Sequence, residues 1–121
     1  MADTKRNKQK KYPLAFAEPD PVEEEKSRQK AINTAREIAE VLKNRFQARK
    51  VWLFGSTLSE NRYSSKWSDI DLAVRDIDAR KYYQAISYIQ WNYPKIEFDL
   101  IDIDDCKESV KDQILSKGVE L

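Results

Sequence analysis

The sequence predicts a small α/β (α+β) domain: a mixed sheet of three or more strands flanked by helices. Three observations carry that prediction. Two stretches, residues 22–46 and 78–91, space their apolar residues at three- and four-residue steps, as amphipathic helices do. Three short segments, 51–54, 69–74 and 96–101, are apolar runs or alternate in polarity, as buried or half-buried strands do. These helical and extended segments interleave along the chain, which favours a layered fold over a bundle or a sandwich.

In order, residues 1–21 come first. Residues 1–11 hold Lys5, Arg6, Lys8, Lys10 and Lys11 against the single acid Asp3, and the stretch that follows is punctuated by Pro13, Pro19 and Pro21. No periodicity runs through them, so they read as a flexible basic tail ahead of a folded domain over 22–121. In the first helix Ile32, Ala35, Ala39, Leu42 and Phe46 mark the buried side, and Glu23, Glu24 and Glu25 sit where the helix dipole favours acids. Val51-Trp52-Leu53-Phe54 is a buried strand ended by Gly55, and Ser56 is placed to cap a short helix. Residues 61–68 are polar and read as a loop. Asp69-Ile70-Asp71-Leu72-Ala73-Val74 has the composition of a central strand. In the second helix Tyr82, Ile86 and Ile89 share one side, and Pro94 closes it. In the third strand Ile96, Phe98 and Leu100 face one way and Glu97, Asp99 and Ile101 the other. A last helix, capped by Asp104, is expected to run to about residue 116 and end at Gly118.

Composition removes several functions. The chain has 121 residues, 36% of them charged, and a net charge of +1. Apart from the tail it is mildly acidic, which disfavours direct nucleic-acid binding. Cys106 is the sole cysteine and cannot form an internal disulfide; no segment is apolar enough for a membrane span or a signal peptide, so a cytoplasmic protein is expected. There is no histidine, which excludes Ser-His-Asp and Cys-His nucleophile systems and the usual zinc sites. Catalysis would rest on carboxylates, hydroxyls and bound metal.

Asp69 and Asp71 are the residues that ask for such chemistry. At positions i and i+2 of a strand they face the same side, roughly 6–7 Å apart along the chain. Two carboxylates in an apolar strand repel each other and are costly to desolvate. A divalent cation reverses that sign, and Mg²⁺ takes one or two protein carboxylates while leaving places for water and phosphate. Asp99, on the less apolar side of a later strand, would join them if the strands are neighbours. The plain structural alternative has Asp69 capping the strand and Asp71 paired with Arg75 or Lys66. Gly55-Ser56 after a buried strand offers backbone N–H groups and a hydroxyl for a phosphate, or else is an ordinary turn. Trp67 is placed to stack on a base or on a partner's tyrosine. Trp52, Phe54 and Phe98 are core, and Tyr63, Tyr82, Tyr83, Tyr88, Trp91 and Tyr93 are candidates for a surface facing a partner.

Phe54-Gly55-Ser56, with twelve residues separating Ser56 from Asp69 in Ser68-Asp69-Ile70-Asp71-Leu72-Ala73-Val74, resembles the signature of the DNA polymerase beta-like nucleotidyltransferase superfamily. Glu97-Phe98-Asp99-Leu100-Ile101 resembles the third acidic strand of its minimal nucleotidyltransferase branch, and Gly118-Val119-Glu120-Leu121 resembles that branch's ending. The resemblance spans roughly residues 25–121 and implies the following roles. Gly55 and Ser56 would hold the β and γ phosphates of ATP. Asp69 and Asp71 would bind two Mg²⁺ ions, and Asp99 would complete the second and help deprotonate the acceptor hydroxyl. The reaction would be an in-line attack on the α-phosphorus with pyrophosphate leaving. Leu58-Ser59-Glu60 stands where family members often have Ala-Arg-Gly, so Arg62 or Lys66 is the candidate to supply the missing charge.

The resemblance further implies a partner, a HEPN-type ribonuclease toxin. The chain would be its antitoxin, moving AMP from ATP onto a tyrosine hydroxyl of the toxin. A non-catalytic antitoxin that neutralises by binding is the alternative from another class. An aminoglycoside nucleotidyltransferase with an acceptor site completed by dimerisation is the third.

Overall fold

In the computed structural model, which describes residues 21–55 and 69–121, helix α1 (Pro21–Asn44) comes first. Pro21 suits the first helical turn, where its missing N–H has no carbonyl to reach. Glu23 and Glu24 lie in that turn and Lys43 in the last. The buried stripe is Ala31, Ala35, Ile38, Ala39 and Leu42. Ile38 is therefore a core residue absent from the expected set, whereas Ile32 is only partly buried. The helix ends two residues earlier than the periodicity suggested. Gln47 turns left-handed at φ 57° and the Ala48 N–H bonds to the Leu42 carbonyl at 2.9 Å, which folds Phe46 back into the core.

Four strands form one sheet: β1 (Lys50–Phe54), β2 (Asp69–Arg75), β3 (Glu97–Asp102) and β4 (Val119–Glu120), in spatial order β3-β2-β1-β4. β1 pairs antiparallel with β2, from Lys50 opposite Arg75 to Phe54 opposite Asp71. β2 pairs parallel with β3, from Asp69 opposite Glu97 to Val74 opposite Asp102. Such a parallel pair needs a crossover, and α2 (Ala79–Asn92) supplies it. Its N-cap is Asp78, whose carboxylate accepts the Arg80 N–H at 2.9 Å. The sheet is thus mixed and flanked by helices, as expected. The short helix placed after Ser56 lies outside the described residues, as does the tail through residue 20.

The two sheet faces bury different sets. Val51, Leu53, Ile70, Leu72, Val74 and Leu100 meet α1 and α2 in the larger cluster. Trp52, Ala73 and Ile103 meet Ile114 of α3 (Glu108–Lys117) in the smaller one. Trp52 is core, as read from the sequence, while Phe54 and Phe98 are partly buried at the margins of the two clusters. α3 starts later than predicted and Asp104 does not cap it. The N-cap is Lys107, without a side-chain bond. Asp104 is instead held in the preceding turn: its N–H bonds to the Asp102 carboxylate at 3.0 Å and its own carboxylate meets Arg75 Nε at 3.5 Å. Gly118 ends α3 because a Cβ there would stand 2.5 Å from the Ile114 carbonyl oxygen and 3.2 Å from that of Leu53. That close approach lets β4 reach β1, with Leu53 opposite Val119.

The aromatics of α2 divide. Tyr82 donates to the Leu100 carbonyl, Tyr88 packs edge-on to Phe46 at 5.7 Å under Arg45, and Tyr93 reaches Glu37. Tyr83 and Trp91 are exposed at 70% and 85%, so only these two remain of the described set as contact candidates. Burial, followed by the neighbouring Tyr83, Asp102 and Asp105, raises the Tyr82 pKa above its ordinary value. The neutral phenol is thus the form favoured by folding, and the stability it contributes is complete below about pH 10 and lost as pH rises through the folded-state value. Tyr82→Phe is expected to cost about 1 kcal/mol near neutrality, read as a lower urea midpoint, and to reduce the loss of stability in alkali.

Candidate active site

One end of the sheet gathers the polar residues. β1 leaves the sheet there at Phe54-Gly55, and β2 and β3 both enter it there, at Asp69 and Glu97. Along β2 the side chains of Asp69, Asp71, Ala73 and Arg75 alternate with Ile70, Leu72 and Val74, which are buried under α1 and α2. The carboxylates therefore project from the α3 side of the sheet, ahead of the smaller core. Asp69 and Asp71 are half-buried, and Oδ1 of Asp69 is shielded from solvent. Asp99 lies directly opposite Asp71 on β3 and is exposed. Asp69, Ile70, Asp71, Glu97, Phe98 and Asp99 line one cavity of about 210 Å³. The parallel pairing of β2 with β3 thus brings Asp69, Asp71 and Asp99 to one cavity, spaced along its wall and not gathered at a single point.

Gly55 closes the third side. Its φ is +84°, a region that side-chain-bearing residues rarely adopt. A Cβ at Gly55 would stand 2.2 Å from Asp71 Oδ2 and 3.0 Å from Asp71 Cγ. The backbone at the end of β1 is therefore laid directly against the Asp71 carboxylate, which only glycine permits. Ser56, Arg62 and Lys66, the other expected nucleotide contacts, lie outside the described residues, as do Trp67 and Tyr63.

A divalent cation is the group that the family resemblance implies for this site. Its donors are hard carboxylate oxygens, the type Mg²⁺ selects. Among the described residues no three of them are already gathered around a single point. Sheet geometry explains this, since neighbours on one face stand roughly 5 Å apart across strands and 6–7 Å apart along one. Each ion would then take one or two carboxylates and complete its octahedron with water and phosphate, which is the usual habit of Mg²⁺. The residues fit that cation. Of the structural alternatives for Asp71, the pair with Arg75 is not what forms, and Lys66 lies outside the described residues. Arg75 lies 5.6 Å over the Trp52 ring and meets Asp104.

Glu97 is the residue that the sequence reading placed on the right face without giving it a role. It stands opposite Asp69 and lines the same cavity. Its signal was present, because Glu97-x-Asp99 repeats the spacing of Asp69-x-Asp71. A larger cavity of about 330 Å³ opens further along β3, between Tyr82, Tyr83, Asp102 and Asp105, and does not contain the paired carboxylates. Among the described residues no helix is long and apolar enough to cross a membrane.

Comparison with known proteins bears on the family and the fold. Residues 36–121 match the family model "Polymerase beta, Nucleotidyltransferase". No curated protein matches the chain. Among solved structures, the fold is similar to chains from two mutant forms of the toxin-antitoxin MntA-HpeT. One is 19% identical with a TM-score of 0.54, over 71% of this chain and 70% of that one. The other is 20% identical with a TM-score of 0.50, over 74% and 69% respectively. The family match covers most of the sequence, so the chain belongs to the Polymerase beta nucleotidyltransferase family.

Proposed function

We propose that this Polymerase beta family nucleotidyltransferase uses Mg²⁺ to move AMP from ATP to a hydroxyl of a partner protein. The acceptor is a tyrosine of a HEPN-type ribonuclease toxin, so the chain acts as an antitoxin. The observation that carries the catalytic part is the cavity in which Asp71 stands opposite Asp99, one residue pair from Asp69, with Gly55 against the Asp71 carboxylate. Support for the biological setting is the fold shared with chains of the toxin-antitoxin MntA-HpeT.

In this reading Asp69, Asp71 and Asp99 hold two Mg²⁺ ions, which when bound supply charge neutralisation for an in-line displacement at the α-phosphorus. The Gly55 backbone passes directly beside the Asp71 carboxylate, which lines the cavity, and so limits the room that side chain has to turn. The exposed Asp99 faces the side from which an acceptor arrives, and its carboxylate takes the proton of the acceptor hydroxyl. The acceptor oxygen bonds to phosphorus as the bond to pyrophosphate breaks. The Gly55 N–H and Ser56 hydroxyl, with Arg62 and Lys66, are assigned to the triphosphate.

The test is mass spectrometry of the co-expressed toxin partner, with the parent chain and with Asp69→Asn/Asp71→Asn. The expected result is a gain of one or more AMP units that requires ATP and Mg²⁺ and is absent with the double variant. An unmodified partner held in a tight complex would replace the catalytic reading with neutralisation by binding.

A further inference from the structure

The parallel register of β2 and β3 sets out four carboxylates, not three, as two rows of two: Asp69 opposite Glu97 and Asp71 opposite Asp99. All four line the same cavity. Glu97 is exposed at the start of an edge strand, where nothing in the packing demands an acid, and among the described residues it joins no ion pair. A residue of this kind beside Asp69, on the same face and at the mouth of a carboxylate-lined cavity, adds repulsion to a site that already has it. Neighbouring like charges are unfavourable unless a cation offsets them.

We propose that Glu97 is a fourth acidic member of the cation site, a positioning residue that holds the hydration water of the ion bound at Asp69. The assignment rests on the reading that this cavity takes a divalent cation. The side chain is one methylene longer than that of Asp, and it starts from the outermost position of β3. It lines the cavity beside Asp69, from where it would reach a water of an ion bound there, while Asp71 and Asp99 occupy the row further along the strands. Mg²⁺ keeps several of its waters, and groups that hold such waters typically alter metal affinity tenfold or more.

Mn²⁺ binding to the full chain without nucleotide, followed by electron paramagnetic resonance of the free ion, tests this independently of transfer. Glu97→Gln is expected to weaken Mn²⁺ about tenfold, Glu97→Asp to restore part of the loss, and Asp71→Asn to weaken it further. Glu108→Gln, an exposed acid at the start of α3, is expected to bind Mn²⁺ as the parent does. Circular dichroism checks that each variant is folded. Parent-like affinity in Glu97→Gln, with Asp71→Asn impaired, overturns the role of Glu97 alone. So does an equal loss in Glu108→Gln, since the effect would then be a long-range field. If Asp71→Asn also binds like the parent, the cation reading of the cavity fails and takes this proposal with it.

Discussion

Replacement of Asp71 by asparagine is expected to lower transfer by about a thousandfold while leaving the protein folded. The size follows from the position. Asp71 is the one carboxylate bounded on three sides: by Asp69 along its strand, Asp99 across it and Gly55 against it. It is the group able to serve ions on either side. Metal stabilisation of the transition-state charge is worth several kcal/mol, and each 1.36 kcal/mol is tenfold in rate, so losing it gives about three decades. Asparagine keeps the shape, and one charge fewer in a shared cavity lowers the mutual repulsion of the remaining acids. The metal-free variant is therefore expected to stay folded at the assay temperature, with a clear urea midpoint. Pyrophosphate release with the partner present measures the first quantity and equilibrium unfolding the second. A variant that loses activity by losing stability would mark Asp71 as structural and sink the assignment.

That combination of costly placement and retained fold is also why this part of the molecule was legible in the sequence. Asp69 and Asp71 interrupt an otherwise apolar strand, and Gly55 ends another, so local chemistry alone drew attention to them. What local chemistry did not hold was the partner of each group. Arg75 sits four residues beyond Asp71 and was a reasonable counter-ion, yet the pleat carries it to the far end of β2, over Trp52 and against Asp104. Asp104 in turn was read as a helix cap because it precedes a helical pattern; Arg75 and the turn at Asp102 claim it instead.

The two-residue strand β4 shows the same limit. Val119-Glu120 has no strand-like length, and its pairing with Leu53 and Trp52 depends on Gly118 passing close to two carbonyl oxygens that sequence does not place. Ile38 was missed for a smaller reason. It falls between two expected core positions, Ala35 and Ala39, and the stripe buried under a sheet is wider than a single row.

 The row from Ala35 to Ala39 to Leu42 is only its centre line, and Ile38 lies beside it, fully buried against the sheet.

Gly55→Ala is expected to reduce transfer about a hundredfold by acting through Asp71 rather than through the fold. The added Cβ would lie 2.2 Å from Asp71 Oδ2, where ordinary contact begins at 3.4 Å, so the carboxylate has to swing by about 1 Å. A displacement of about 1 Å in a catalytic constellation is enough to cost about 10²-fold. The left-handed φ of +84° adds about 1–2 kcal/mol of backbone strain. That strain lowers the unfolding midpoint, but it does not by itself change the rate of molecules that remain folded. A double-mutant cycle separates the two effects, because residues acting through one contact are not additive. Adding Gly55→Ala to Asp71→Asn should lower the midpoint by as much as it does in the parent. It should lower the residual transfer and the Mn²⁺ affinity far less than in the parent. If the losses in transfer and metal binding instead multiply in full, the effect of Gly55→Ala does not pass through Asp71, and the backbone of Gly55 acts on the site by itself. The close approach to Asp71 would then be a consequence of that role, not its purpose.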